Sequence, residues 1–247
     1  MNKPLIFARI VTSLLAVTSL LAVSSCGGSG QKVTATRSAP TSAPSGAGAG
    51  ESIILTARSS QARVYSSVTG SAYKTVRAPR PGVPLTFLAI DTDDSGRWKA
   101  LLPTPPNGST GWLDSKDVRV SKTPYMLEIR PRVRQLRLYK LNEILTVYGV
   151  GVGTKATPTP TGNYFITQLV RPSNPGGPYG PFAFGLSARS SKVKNWAGDP
   201  IVGIHGTNRP ELLPGAVSNG CIRMDNTVIT RLAKLLPLGT PVTIKAA

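Results

Sequence analysis

The chain has 247 residues, and its 29 lysines and arginines against 11 aspartates and glutamates give a formal net charge of +18. The basic residues are scattered, and no nucleic-acid-binding motif accompanies them, so we expect no nucleic-acid partner. One histidine, two cysteines and few acids cannot supply the usual ligands of a zinc site, so neither a metal nor another cofactor is implied.

The first 26 residues have the pattern of a secretory signal. Lys3 and Arg9 give a basic start, Ile10 to Val23 form an apolar run, and small residues lead to Cys26. This ending resembles a lipobox, in which the cysteine is lipidated and begins the mature chain. We therefore predict a lipoprotein anchored at the extracytoplasmic face of the cell membrane, on the cell-wall side. A cleaved signal or an uncleaved anchor are the alternatives, although a membrane span needs about 20 apolar residues.

Residues 27–51 are mostly Gly, Ser, Ala, Thr and Pro, which predicts a disordered tether. An exported chain with this charge would meet anionic lipid or the carboxylates and phosphates of an anionic cell envelope. A merely solvated basic surface explains the charge equally well. If Cys26 carries lipid, Cys221 has no disulfide partner, and an unpaired thiol outside the cytoplasm is often reactive.

Residues 52–121 show short apolar runs separated by turn residues, the pattern of a small all-β domain. Five short strands in about 70 residues favour a small closed barrel. The segments Arg97–Ala100 and Gly111–Leu113 resemble the last strands of bacterial SH3-like domains, which implies a domain that binds cell-wall peptide or acts as a spacer. The predicted strands are Ser52–Ala57, Gln61–Tyr65, Leu85–Asp91, Trp98–Leu102 and Gly111–Leu113.

Residues 122–247 give a second domain whose first strands form a meander with a turn at Leu141-Asn142. Thr157 to Gly162 predicts a rigid loop, because proline and threonine alternate there. The length of the Pro- and Gly-rich loop from Arg171 to Pro181 predicts either a rim or lid of a functional site or a disordered excursion. The predicted strands are Tyr125–Ile129, Gln135–Lys140, Glu143–Val152, Asn163–Leu169, Ile201–Ile204 and Pro241–Lys245.

One amphipathic helix is predicted after Cys221. Asp225 or Asn226 can cap it, and Pro237 with Gly239 ends it. Because a helix N-terminus favours negative charge, this placement predicts a stabilised thiolate at Cys221. The apolar face consists of Val228, Ile229, Leu232, Leu235 and Leu236.

His205 and Cys221 lie sixteen residues apart, and both are flanked by glycine. A cysteine nucleophile needs a base to form thiolate at neutral pH, and this histidine is the single imidazole in the sequence. The alternative is a buried structural cysteine beside an incidental histidine.

The segments Gly203–Thr207 and Ser218–Met224 resemble the catalytic motif of YkuD-type L,D-transpeptidases, in which a histidine is followed at a similar spacing by Ser/Thr-His-Gly-Cys. The resemblance covers residues 124–246, including the Thr-Pro loop and the meander. It implies a β-sandwich-like domain that cross-links peptidoglycan through a cysteine thioester with tetrapeptide stems. Peptidoglycan stem peptides would then be the partners.

The resemblance assigns Cys221 as nucleophile and His205 as base, with Ser218 and Gly220 shaping the site. The carbonyl of Gly206 is expected to fix the histidine tautomer. Gly220 permits a sharp turn, and the amides of Gly220 and Cys221 are candidates for an oxyanion hole. Arg223 either holds a substrate carboxylate or forms a structural ion pair.

Asn219 departs from the family motif, which commonly has histidine before Gly-Cys. Asparagine can form hydrogen bonds but cannot titrate, so this position shapes the site without supplying a base. Two alternative functions remain open. One is an inactive wall-binding lipoprotein, and the other is a cysteine carboxypeptidase or amidase that uses water as acceptor.

Overall fold

The computed structural model describes residues 50–94, 96–193 and 199–246. The predicted signal, Cys26 and nearly all of the predicted tether lie outside the described residues. Within these ranges the chain is mainly β, with seventeen strands and one α-helix, which confirms the predicted fold class. No helix in these ranges is long and apolar enough to cross a membrane.

Seven strands form the N-terminal sheet, in the order β3-β2-β6-β5-β4-β1-β7. They are β1 (Ser52–Ala57), β2 (Gln61–Tyr65), β3 (Ala72–Arg77), β4 (Thr86–Thr92), β5 (Arg97–Leu101), β6 (Thr110–Asp114) and β7 (Val118–Thr123). All five predicted strands are present. Among the described strands the order starts at β3 and ends at β7, so strand pairing does not close the predicted barrel.

The two edge strands, β3 and β7, were not predicted from the sequence. Val76 is the buried residue of β3, and β7 buries its two ends, Val118 and Thr123. An edge strand has one neighbour and one solvated side, so it lacks the apolar alternation of an inner strand. Strand β7 pairs with the whole of β1 and runs through the predicted domain boundary between residues 121 and 122. The N-terminal sheet therefore extends to Thr123.

Ten strands form the second sheet, in the order β10-β9-β8-β17-β12-β13-β14-β16-β11-β15. The last strand of the chain, β17, is central, because it pairs with β8 on one side and β12 on the other. The strands are β8 (Tyr125–Arg130), β9 (Gln135–Lys140), β10 (Glu143–Gly149), β11 (Gly151–Gly153), β12 (Gly162–Val170), β13 (Ala183–Arg189), β14 (Ile201–His205), β15 (Gly215–Ser218), β16 (Ile222–Arg223) and β17 (Pro241–Ile244).

The predicted meander is present with one change. Leu141 and Asn142 have φ angles of 50° and 70°, which confirms the predicted turn between β9 and β10. The single strand predicted from Glu143 to Val152 is divided at Val150, whose amide donates instead to the carbonyl of Arg134 at 2.9 Å. This break lets β10 pair with β9 while β11 joins β15 and β16.

The helix α1 (Asn226–Leu235) begins where it was predicted. The carboxylate of Asp225 accepts hydrogen bonds from the amides of Thr227 and Val228 at 2.7 and 3.2 Å. Such a cap contributes about 1 kcal/mol. Ile229 and Leu232 are fully buried and join the core of the ten-stranded sheet.

Candidate active site

Parallel pairing of β14 with β16 brings the predicted cysteine and histidine to one place. Ile204 lies opposite Ile222 and His205 opposite Arg223, so Cys221 directly precedes the strand that runs beside His205. The amide of Gly203, in β14, donates to Cys221 Sγ at 3.4 Å. Both side chains line one cavity of about 110 Å³. The structure therefore places together two residues that are sixteen positions apart.

Ser218 holds the turn that carries Cys221. Its hydroxyl donates to the carbonyl of Cys221 at 2.5 Å and accepts from the amide of Gly220 at 3.1 Å. Gly220 has a φ of +114°, a conformation that a residue with a side chain rarely adopts. Because the Gly220 amide is engaged by Ser218, the expectation that it serves an oxyanion hole is not met here. The amide of Cys221 remains as the candidate donor.

The predicted loop from Thr157 to Gly162 supports this turn from the other side. The amide of Thr154 and the hydroxyl of Thr157 donate to the carbonyl of Ser218 at 3.1 and 3.3 Å. Thr159 is buried, and its hydroxyl accepts from the amide of Gly153 at 2.9 Å. These bonds fix the position of the cysteine turn relative to β11.

His205 is held in one orientation. Its Nδ1 lies 2.6 Å from the carbonyl of Gly206, the contact expected from the sequence. A carbonyl can only accept, so Nδ1 carries the proton and Nε2 is free to accept one. The ring is 4% exposed. Burial and, to a smaller extent, the nearby Arg223 charge lower the pKa of His205 to about 4, although the Gly206 bond acts in the opposite direction. The imidazole is therefore neutral at pH 7.

Gly206 is required because three chain segments meet there. A Cβ at this position would lie 2.9 Å from Gly180 Cα and closer still to Asn226 Oδ1. Asn226, the first residue of α1, is bound to both backbone groups of Thr207, accepting from its amide at 2.9 Å and donating to its carbonyl at 3.0 Å. The sequence indicated Asn226 only as a possible helix cap. Its two hydrogen bonds to Thr207, which were not predicted, fix the chain after His205.

The thiol of Cys221 is not stabilised as predicted. Strand β16 and Met224 lie between Cys221 and α1 along the chain, and the amides of Thr227 and Val228 are already bound by Asp225. Burial raises the pKa of Cys221, while the Gly203 amide and the Arg223 charge lower it. The resting pair is therefore a protonated thiol and a neutral imidazole.

The positive charge of Arg223 lies near the Cys221 thiol and the His205 imidazole. It lines the cavity, and its Nε is buried with no hydrogen-bond partner among the described residues. No acidic side chain lies within ion-pair distance of it in the described part of the chain, so the structural ion pair considered for Arg223 is not seen there. A cation with a free hydrogen-bonding edge can bind a carboxylate in the cavity.

Two further residues line the cavity. Asn219 is exposed at its rim, where the family motif commonly has histidine. Tyr179, which the sequence analysis did not single out, stacks edge-on against His205 with ring centroids 4.9 Å apart. Burial raises the pKa of Tyr179, and so does the negative charge of Cys221 once its thiol is ionised at high pH, while the Arg223 charge lowers it. In the sequence, Tyr179 was indicated only by its position in the predicted rim loop. No cluster of metal-binding side chains occurs in the part of the chain that is described.

The buried imidazole predicts acid sensitivity of the fold. The folded pKa is about 4 against an ordinary value of 6.5, so the unfolded chain binds the proton first as pH falls. The stabilising effect of neutral His205 is complete above pH 6.5 and is lost between pH 6.5 and about 4. The loss should reach about 3 kcal/mol in the free energy of unfolding.

Urea unfolding of wild type and His205→Gln at a series of pH values measures this effect. We expect a shallower decline in the variant, which has no titrating ring. If the free energy of unfolding declined equally in both proteins as pH falls, groups other than His205 would cause the acid sensitivity.

The sequence was compared with known proteins. A model of the L,D-transpeptidase catalytic domain, YkuD, matches residues 124–244. Two candidate L,D-transpeptidases named YkuD, from Bacillus licheniformis and Bacillus subtilis, are each 39% identical to this chain. The alignments cover 67% and 64% of this chain and 95% and 93% of those proteins. An L,D-transpeptidase structure from Mycobacterium smegmatis aligns with a TM-score of 0.42 and 18% identity, over 63% of this chain and 80% of that one.

Proposed function

The chain belongs to the L,D-transpeptidase family, and we propose on this basis that it cross-links peptidoglycan stem peptides through a thioester on Cys221. The observation that carries the proposal is the shared cavity of Cys221 and His205, with Nδ1 bound to Gly206 and Nε2 free. An inactive wall-binding protein would have no need of this arrangement.

In the first half-reaction, Cys221 attacks the carbonyl of the third residue of a tetrapeptide stem. His205 Nε2 takes the thiol proton as the S–C bond forms, and the amide of Cys221 stabilises the oxyanion. The C–N bond to the terminal D-alanine then breaks, and the imidazolium returns the proton to the leaving amine. The products are a thioester and free D-alanine.

In the second half-reaction, an amine of another stem peptide attacks the thioester. Neutral His205 takes a proton from the amine, and that proton passes to the departing sulfur, which restores the thiol. The acceptor decides the outcome, because water at the same step would give a carboxypeptidase. Pro178 and Tyr179 line the cavity and would limit the space available to water.

Incubation with purified disaccharide-tetrapeptide tests the proposal. A cross-linked dimer and released D-alanine are expected. Release of D-alanine without dimer would instead indicate a carboxypeptidase, and neither product would favour the inactive wall-binding protein.

We expect Arg223→Gln to slow alkylation of Cys221 at neutral pH. Removing the cation raises the thiol pKa, by roughly one unit at most, so less thiolate is present at a given pH. Arg223→Lys keeps the charge and should recover much of the rate. The KM for tetrapeptide should also rise in Arg223→Gln, if the guanidinium binds a substrate carboxylate.

Iodoacetamide alkylation as a function of pH measures the thiol pKa, and Arg231→Gln, an exposed cation on α1, is the matched control. If the pKa of the Cys221 thiol and the KM for tetrapeptide were both unchanged in Arg223→Gln, Arg223 would neither lower the thiol pKa nor bind a substrate carboxylate.

We also propose that the protein works at the extracytoplasmic face of the cell membrane, anchored by lipid on Cys26, with the N-terminal sheet as an SH3-like wall-binding or spacer domain. The support is the sequence pattern of the first 26 residues and the resemblance of the strand segments around Trp98 and Trp112.

A further inference from the structure

Exposed apolar side chains are concentrated in one hairpin. Eight large apolar side chains are exposed in the described chain, and five of them lie between residues 133 and 147, each 45–54% exposed. Scattered exposed apolar residues are ordinary, whereas a cluster marks an interaction surface. The five residues are Val133, Leu141, Ile144, Leu145 and Val147.

The hairpin lies at an end of the ten-stranded sheet. Strand β10 pairs with β9 and has no second neighbour in the sheet order. Val147 lies opposite Arg137 and Ile144 opposite Tyr139, so apolar and basic side chains project from the same face. We call the solvent-facing side chains of residues 130–147, which include the five apolar residues and the cations described next, the hairpin surface.

The hairpin surface is strongly basic. Residues 130–147 contain five cations and one acid, Glu143. The neighbouring Glu128 is already surrounded by Arg130, Arg137 and Lys245 at 3.6–3.9 Å. The five cations are Arg130, Arg132, Arg134, Arg137 and Lys140.

The described structure begins beside this hairpin. A Cβ on Gly50 would lie 2.6 Å from the carbonyl carbon of Leu141, so the backbone at Gly50 touches the hairpin turn. The first described residue, Gly50, therefore lies beside the hairpin surface.

We propose that the hairpin surface docks on an anionic lipid bilayer. Apolar side chains of this kind enter the headgroup region, and nearby lysines and arginines are attracted to anionic lipid. A second copy of the chain is a poorer occupant, because pairing two hairpin surfaces would bring like charges together. The docking depends neither on transpeptidation nor on lipid at Cys26.

Vesicle co-sedimentation tests the proposal. Full-length chain carrying Cys26→Ser is mixed with vesicles of phosphatidylcholine alone, or of three parts phosphatidylcholine to one part phosphatidylglycerol. We expect binding to the anionic vesicles, weakened by salt. Ile144→Ser with Val147→Ser should reduce it about tenfold, and Arg132→Gln with Lys140→Gln about fivefold or more.

Matched controls are Tyr73→Ser with Val120→Ser, and Arg119→Gln with Arg231→Gln, which change equally exposed side chains elsewhere. Equal losses in the controls would overturn the proposal. So would absence of binding to anionic vesicles, or hairpin variants that abolish a dimer while vesicle binding stays unchanged.

A local probe removes any contribution of the N-terminal apolar run. In a Cys26→Ser, Cys221→Ser background, an environment-sensitive dye is attached at Val147→Cys or, as control, at Val120→Cys. Anionic vesicles should shift the emission to the blue at position 147 alone. An unshifted spectrum at 147, or the same shift at both positions, would contradict docking through the hairpin surface.

Discussion

Replacing Cys221 with alanine should abolish dimer formation from tetrapeptide, a loss of at least about 10⁴-fold. The change removes one sulfur from a partly buried position and leaves the bonds of Ser218 to the surrounding backbone in place. The fold should therefore survive, with a thermal midpoint close to that of wild type. The loss of dimer formation would then result from the missing nucleophile, because no other thiol occurs in the described chain.

Mass spectrometry of the intact protein gives the direct readout. Wild type incubated with tetrapeptide should carry one acyl adduct on Cys221, and the family resemblance implies a similar adduct with a carbapenem. Cys26→Ser is the matched control and should keep both adducts. Dimer formed by Cys221→Ala, or an adduct located elsewhere, would remove Cys221 from the mechanism.

Replacing His205 with alanine should lower turnover at neutral pH by about 10²- to 10⁴-fold, the usual contribution of a general base. The thiol of Cys221 is protonated at neutral pH because burial raises its pKa, so it depends on Nε2 for activation. As pH rises, hydroxide can remove the proton, and the deficit of the variant should become smaller. Added imidazole should enter the vacated space and restore part of the rate.

A second variant at His205 distinguishes its role as a base from its role as a hydrogen-bond donor to Gly206. His205→Asn can donate an amide N–H toward the carbonyl of Gly206, as Nδ1 does, but it cannot accept the thiol proton. We expect it to be as inactive as His205→Ala. Substantial activity of His205→Asn at neutral pH would show that orientation of the loop, and not proton transfer, is the role of His205.

The sequence was sufficient for the parts of the site that depend on residue type and short spacing. His205 and Cys221 were predicted from their resemblance to the family motif and because His205 is the single imidazole, and the Gly206 carbonyl contact was predicted because few acids lie nearby in the sequence. The inner strands were predicted from apolar alternation, which reflects burial on one face.

The sequence was insufficient where contacts join distant segments. Nothing near Gly220 indicates that the Ser218 hydroxyl would occupy its amide, because that bond depends on the shape of the folded turn. The link from Asn226 to Thr207 and the stacking of Tyr179 on His205 depend in the same way on the arrangement of strands and loops. The helix was predicted correctly, but the predicted stabilisation of the thiolate was wrong, because burial raises the pKa of Cys221.

The central position of β17 has a consequence for how the protein is made. Pro241–Ile244 is the last strand of the described chain, yet it fills the gap between β8 and β12. A nascent chain emerges from its N-terminus onward, so the two halves of the ten-stranded sheet stay apart until these four residues are available. Synthesis that stops a few residues early would thus leave that sheet divided and prone to aggregation.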